Sequence, residues 1–378
     1  MTKRTGSPIC AQWLSFVRLK PQVVIALATL LLALTPATAS AHVRWFIDEQ
    51  QYPPRWERLF SLSSLLVIVV SAGLLGALLL LRRVLRNQHF PNPPQLAYME
   101  PSATALLAVH TGISLVFFAS QVDLFVHSLQ LDKGVLGWLL VALQVVVAFT
   151  LITGLFDRAG AILLAVVWLL GMLTFAPWRM VDQFLYVGIG VILFVLGRTI
   201  PPPAIAQRLL PLADYERQAV SALRILAGIS IVSVAFTEKL LVPEAGVAFL
   251  ADHPNFNVMQ SLFGWGWWTD ERFTIAAGVV EAAAGVLLIS GVMTRVVILT
   301  LLVPFNLTVA FLPPIELLGH LPIFGIMYVL LLYGSGTDPN AREHLLDPAL
   351  DGEMHERADR LQHGDRKTPD DRRPARSW

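Results

Sequence analysis

The chain has 378 residues, 55% of them hydrophobic and 15% charged, with a formal net charge of +1, whereas soluble domains run at roughly 45–50% apolar and about 25% charged. With a mean hydropathy of +0.62, this excludes a soluble globular protein, makes the lipid bilayer the first partner, and leaves no basic field for nucleic acid. Cys10 is the sole cysteine, so an internal disulfide, a CxxC redox pair and an iron–sulfur site are excluded for a single chain.

In chain order, Lys3, Arg4, Arg18 and Lys20 precede a short apolar stretch from Val23 to Leu34, and Ala39-Ser40-Ala41 follows. Positive n-region, short h-region and small residues predict a signal peptide over 1–41, cleaved to leave His42 as the mature N-terminus. An exported segment, 42–60, leads into an apolar run, 61–81, long enough for a transmembrane helix. Arg82, Arg83 and Arg86 put its far end in the cytoplasm, at the start of a linker over 82–102. Eight further apolar segments follow, near 103–122, 135–156, 159–176, 184–197, 220–237, 273–293, 296–312 and 321–334. Alternating them puts Arg158, Arg198, Arg208, Arg217 and Arg295 inside, as expected for a multi-pass protein of the bacterial inner membrane with a cytoplasmic C-terminus. The polar tail 335–378 carries both charge signs and several prolines, and is expected to be disordered in the cytoplasm.

The eight segments contain a repeat. Gly154, Arg158, Pro177, Gly188 and Gly197 recur as Gly291, Arg295, Pro314, Gly325 and Gly334, each 137 residues on, and Gly112-Ile113-Ser114 recurs as Gly228-Ile229-Ser230, 116 residues on. Internal repetition of this kind sets the architecture. The expected fold is an all-α integral membrane protein: one N-terminal transmembrane helix, then two tandem four-helix units, 103–197 and 220–334, joined by a linker over 198–219. An even number of helices per unit makes the repeat parallel, unlike the inverted repeats of many transporters.

In the second unit, Thr237-Glu238-Lys239-Leu240 closes the first segment, and the run from Gly278 through Glu281 to Gly291 and Arg295 forms the second and its exit. This pattern resembles the DoxX/DoxD-like family of four-helix membrane proteins, well over about 220–334 and more weakly over 103–197. The resemblance implies a quinone-linked redox or sulfur-oxidation-associated subunit working with a redox partner subunit. The first copy departs from it, with Gln144 where Glu281 stands and Asp123 where Lys239 stands. An activity carried by the Lys and Glu would therefore belong to the second copy.

Glu281 falls eight positions into its predicted helix, about 12 Å from the outer end, where a lone carboxylate is costly and marks a functional candidate. Ala277, Ala284 and Gly285 on its face predict a helix closing over it, and Lys239 is placed to pair with it. The pair reads either as a structural lock between two helices or as a proton-relay or quinone-site acid. A second candidate chemistry is metal handling on the exported face. The α-amine and imidazole of His42 would chelate copper, with His127, His253 and His320 on the same side as further ligands. His110 is the one histidine at membrane depth, too few for a bis-His haem. Seven tryptophans, among them Trp56, Trp178, Trp265, Trp267 and Trp268, fall on the exported side as an interfacial belt, with Phe263 to Trp268 as a candidate lid. A non-enzymatic scaffold using loop 240–272 is the third reading. The chain carries no Walker loop, GxSxG or HExxH sequence, so nucleotide, serine-hydrolase and zincin chemistries have no support.

Overall fold

The structure, a computed structural model, describes residues 47, 51–84, 99–197, 212–261, 263–311 and 314–336. The expected signal peptide, His42 and the tail beyond 336 lie outside them. Among the described residues the secondary structure is helical, with a lone bridge between Asp123 and Gln130 in place of any strand.

The apolar run after the exported segment is helix α1, Leu62–Val84. The next four segments are α2 (Glu100–Ser120), α3 (Val135–Thr153), α4 (Asp157–Gly171) and a broken pair, α5 (Pro177–Val181) and α6 (Phe184–Leu196). Helix α7 (Glu216–Ala235) continues as one π-helical turn, Phe236–Leu240. The expected loop 240–272 holds two helices, α8 (Pro243–Asp252) and α9 (Val258–Ser261). Helices α10 (Asp270–Ser290), α11 (Thr294–Phe311) and α12 (Pro314–Tyr333) complete the set. Among the described residues, five helical stretches are long and apolar enough to cross a membrane: Leu62–Leu80, Ser102–Ser120, Val135–Thr153, Glu216–Leu240 and Asp270–Ser290. The expected span 184–197 is shorter than a bilayer core of about 30 Å requires, because thirteen helical residues rise only about 20 Å. The helix breaks at Asp182 and Gln183.

Glycine and arginine set the helix ends. Gly154 ends α3 in the left-handed region (φ 76°), its N–H donating to Thr150 O, and Gly291 ends α10 in the same way (φ 72°). That conformation costs glycine nothing and lets the chain turn sharply out of a helix. Two residues on, Phe156 and Met293 also have positive φ, 56° and 49°, so both turns follow one path. Arg158 then donates from Nε to Phe194 O at the end of α6 (3.0 Å). Arg295 donates to Leu331 O (2.8 Å) and Leu332 O (2.7 Å) at the end of α12. Each guanidinium satisfies carbonyls that lack helical partners and sits at the negative end of a helix dipole. The Gly-x-x-x-Arg spacing thus reads as two linked caps: a glycine ending one helix, and an arginine closing another. Arg224 closes α10 similarly, through Leu288 O and Ile289 O.

Along the chain α2 packs on α3, α3 on α4, α4 on α6, α6 on α7, α7 on α10, α10 on α11 and α11 on α12, and α12 packs back on α2. Eight helices therefore close into a ring. Leu107, Leu115, Leu140, Leu151, Leu164, Ile189, Leu223 and Leu330, all fully buried, form one core running through both halves. Helix α1 stands outside the ring against α10, with Leu65, Leu66, Ile68 and Val69 exposed. Val145, Val146 and Phe149 on α3 are exposed as well. An apolar exterior over an apolar core suits a lipid solvent.

Candidate functional site

The π-helical turn carries the first candidate. Leu241 N–H donates to Phe236 O (2.9 Å), five residues back, which widens the helix end and turns Lys239 toward α10. Gly278 on α10 makes room: a Cβ there would lie 3.0 Å from Lys239 Cβ and 2.9 Å from Leu240. Lys239 Nζ donates to Glu281 Oε2 at 2.8 Å. Helix α10 starts at Asp270, capped by Thr269 with Asp270 and Glu271 in its first turn, so Glu281 lies about 16 Å along it, deeper than the sequence spacing gives. The expected closure over its face is partial. Gly285 meets α7 closely, while Ala277 and Ala284 are half-buried and the side chains of Lys239 and Glu281 are 14% and 36% exposed. Glu281 is thus a rim carboxylate held by a more sheltered ammonium. Glu238 is the one carboxyl group on the π-helical turn itself and is buried; in the sequence reading it stands within the run 237–240 with no role given.

The corresponding place in the first half is built differently. Gln144 accepts from Phe125 N–H (3.0 Å) and donates to Leu115 O and Asp123 O (3.1 Å each). Tyr186 Oη donates to Phe125 O (3.1 Å) and its ring stacks on Phe125 at 4.4 Å. Together these hold a loop in which Val122 and Phe125 have φ of 63° and 62°, a conformation that strains a β-branched residue. Gln144 therefore secures backbone where Glu281 holds a charge. The same loop buries Asp123, whose Oδ2 lies 2.8 Å from Nδ1 of His127.

The hydrogen bond to Asp123 raises His127 above its usual value against the opposing effect of burial. Burial in turn pushes the Asp123 carboxyl up, more than His127 draws it down. The two shifts agree on one point, that this pair holds its proton. For a histidine raised on folding, the contribution to stability is complete below its unfolded value of 6.5 and is lost as pH rises through the folded one. The melting temperature in detergent should therefore fall more steeply with pH above about 6.5 for the wild type than for His127→Gln; superimposable profiles would show that the pair does not contribute.

The other expected ligands do not converge. His253 stacks on Phe249 (4.8 Å) at the end of α8, with Nδ1 3.2 Å from Phe249 O. His320 is buried in α12 beside Phe324. Among the described residues no three His, Cys, Asp or Glu side chains stand together as a metal set. On the expected exported side, Trp56 meets Trp178 edge-on at 6.2 Å, and Trp265 stacks with Trp267. Arg58 grips Glu244 in a bidentate pair (2.7 and 3.0 Å) with Arg55 at 3.2 Å. Burial raises the Glu244 carboxyl, and the Arg58 hydrogen bonds with both guanidinium charges outweigh it, leaving the group below its usual value. This contact ties the segment before α1 to α8; no local signal in the sequence marks it.

Among the described residues, fold and site together define a helical protein with five helices suited to crossing a membrane and an interhelical Lys–Glu pair on a π-helical turn. Comparison with protein-family models, with curated proteins and with solved structures finds no match.

Proposed function

We propose that the chain is a multi-pass membrane protein of the DoxX-like type, in which Lys239 and Glu281 handle protons for a quinone-linked redox partner. The observation that carries this reading is the 2.8 Å ion pair on a π-helical turn. Single-turn π-helices interrupt regular bonding and occur often at functional sites. A carboxylate paired with a lysine yet still reached from outside is placed to exchange a proton, whereas a fully enclosed pair would serve only as a lock. Two recurrent features support the tandem-unit part of the reading. The Arg158 and Arg295 caps share one geometry. Gly188 approaches the Leu223 backbone just as Gly325 approaches that of Leu107, a Cβ at either lying 3.1 or 3.0 Å from the leucine Cα. The sidedness, with the C-terminus in the cytoplasm of a bacterial inner membrane, belongs to the same proposal.

Lipid extracts of the purified protein should contain an isoprenoid quinone, and a short-chain quinone analogue should quench its tryptophan fluorescence saturably. Lys239→Met with Glu281→Gln should weaken that binding while the protein still inserts. Absence of quinone from extracts, together with no saturable quenching in nanodiscs, would remove the redox reading. The copper reading rests on His42 alone, outside the described residues, and nothing in the described histidines adds to it.

A further inference from the structure

The crossing of α2 and α12 carries buried polar groups at membrane depth. His110 Nδ1, Thr111 Oγ1 and Ser114 Oγ are enclosed there and complete no hydrogen bond, and Thr111 and Ser114 have no exposed surface. The His110 ring does reach α12, where it hydrogen-bonds the Leu321 backbone. A helical N–H is committed to the carbonyl four residues back, so the acceptor is the Leu321 carbonyl and Nε2 is the ring atom that donates. Nδ1 is then a bare lone pair. Ser114 stands beside the Tyr186 phenol, but that proton goes to Phe125 O, so the phenol has nothing to donate to it.

Helix α12 adds an acceptor. Pro322 lies inside it and has no N–H, so Leu318 O loses its helical donor. Three contacts give the register of the two helices: Ser102 and Tyr328 hydroxyls 2.9 Å apart, Gly325 against Leu107, and His110 with Leu321. Carried one turn further, this antiparallel register sets Ser114 opposite Leu318. Residues three and four apart on a helix stand about 5–6 Å from each other, so Ser114 neighbours both His110 and Thr111. Groups at that separation are joined by one water making a bond of about 2.8 Å to each.

The matched crossing, α7 on α6, supplies an internal comparison. Gly188 approaches Leu223 there as Gly325 approaches Leu107, so the backbones meet alike. At the repeat offsets, however, Leu226 and Ala227 stand for His110 and Thr111, Leu185 for Pro322, and Asp182 for Gly319. Ser230, which stands for Ser114, donates directly to the Asp182 carbonyl. Packing of this type therefore requires neither the proline nor the extra polar side chains, and the crossing that has the one has the others. Backbone freed by proline in a membrane helix is satisfied by neighbouring helices, hydroxyl side chains or ordered water, and a buried water typically takes about three bonds from such groups. We infer that the α2–α12 crossing is a water-binding site, the water held by His110 Nδ1, Thr111, Ser114 and the Leu318 carbonyl. An imidazole so placed takes up a proton from water and keeps its bond to α12, which gives the first half a proton-accepting group where the second has Leu226. Of the helices packed on α2, α3 has no ionisable side chain, α6 has Tyr186, and α12 has Glu316, His320, Tyr328 and Tyr333; α2 itself adds Glu100. The inference does not rest on the proposed role of Lys239 and Glu281.

Thermal unfolding of the full chain in detergent tests the site by the sign of one change. Replacing a hydrated hydroxyl by a methyl group loses its hydrogen bonds, whereas replacing a stranded one relieves a desolvation penalty. Thr111→Val should therefore lower the melting temperature, by about 1 to 3 °C; an equal or higher one overturns the site. Hydroxyl-radical footprinting of the wild type needs no variant, because bound water is itself the source of radicals. The peptide bearing His110 and Thr111 should be labelled several-fold faster than the one bearing Leu226 and Ala227, each relative to its rate in the unfolded chain. Equal protection of the two peptides overturns the site as well. Nitrogen-15 shifts of His110 should report an Nε2–H ring that gains a proton on Nδ1 as pH falls. An Nδ1–H ring overturns the assignment, and a ring that stays neutral until the chain unfolds removes the proton-accepting role.

Discussion

Gly285→Val should abolish recovery of folded protein, or lower its melting temperature more than any other single change considered. A Cβ on Gly285 would lie 2.7 Å from Gly228 O, and one on Gly228 would lie 2.7 Å from Gly285 O. Backbone faces backbone at this crossing of α7 and α10, so no side chain can swing aside to make room. Overpacking a tight core costs typically about 1–3 kcal/mol and occasionally more, and here relief requires parting the two helices that bear Lys239 and Glu281. Gly73→Val supplies the control, because no atom lies within 4 Å of a Cβ placed there in α1. The check is the monodisperse fraction after detergent extraction and the melting temperature of what remains. Matching behaviour of the two variants would mean that the close crossing is not needed.

Replacing Lys239 by Met and Glu281 by Gln together should be milder than the sum of the two single changes. The 2.8 Å contact makes each group the other's partner, and removing one leaves a charge in a poorly solvated place. Glu281 is about a third exposed, which reduces the cost below that of a sealed pair. Coupling energies between polar groups in membrane helices average about 0.6 kcal/mol with a maximum near 1.7, and the upper end of that range is expected, given the shelter of Lys239. A double-mutant cycle on thermal or denaturant unfolding measures it directly. Additive effects would show that the two residues act independently, and a proton-handling unit could not then be assigned to them.

The helices were legible because a continuous apolar run of about twenty residues has few alternatives to a helix once water is excluded. The nine expected segments all fall on helices, and the glycines at 154 and 291 mark real ends. Departures occur where the backbone is irregular. Nothing in Phe236–Leu240 announces a π-helical turn, and the close approach of Lys239 and Leu240 to Gly278 that goes with it depends on the neighbouring helix. The break at Asp182 was hidden because an aspartate between apolar stretches looks the same in a continuous helix and at an interruption. Arg158 and Arg295 were read for sidedness and as marks of the repeat, and Arg224 was not singled out; that all three cap distant carbonyls depends on which helices become neighbours. The Lys239–Glu281 contact could be foreseen from charge and depth, but its partial exposure could not, because that depends on how far α8 and the ring helices shelter the site.

Closure of the ring also bears on how such a chain can be assembled and inherited. The two halves meet at two surfaces, α6 against α7 and α12 against α2, and in each the last helix of one half lies on the first helix of the other. Only one of these surfaces adjoins the covalent link through 198–211, so the second cannot depend on connectivity. Halves supplied as separate polypeptides would still present both mating faces to each other, as the subunits of a two-fold dimer do. A pair of identical short chains would satisfy the same geometry, and fusing them would free one of the two polar positions in each matched pair to change without the other. Gln144 and Glu281, Asp123 and Lys239, and Gly319 and Asp182 are the matched positions at which the charge differs between the two halves.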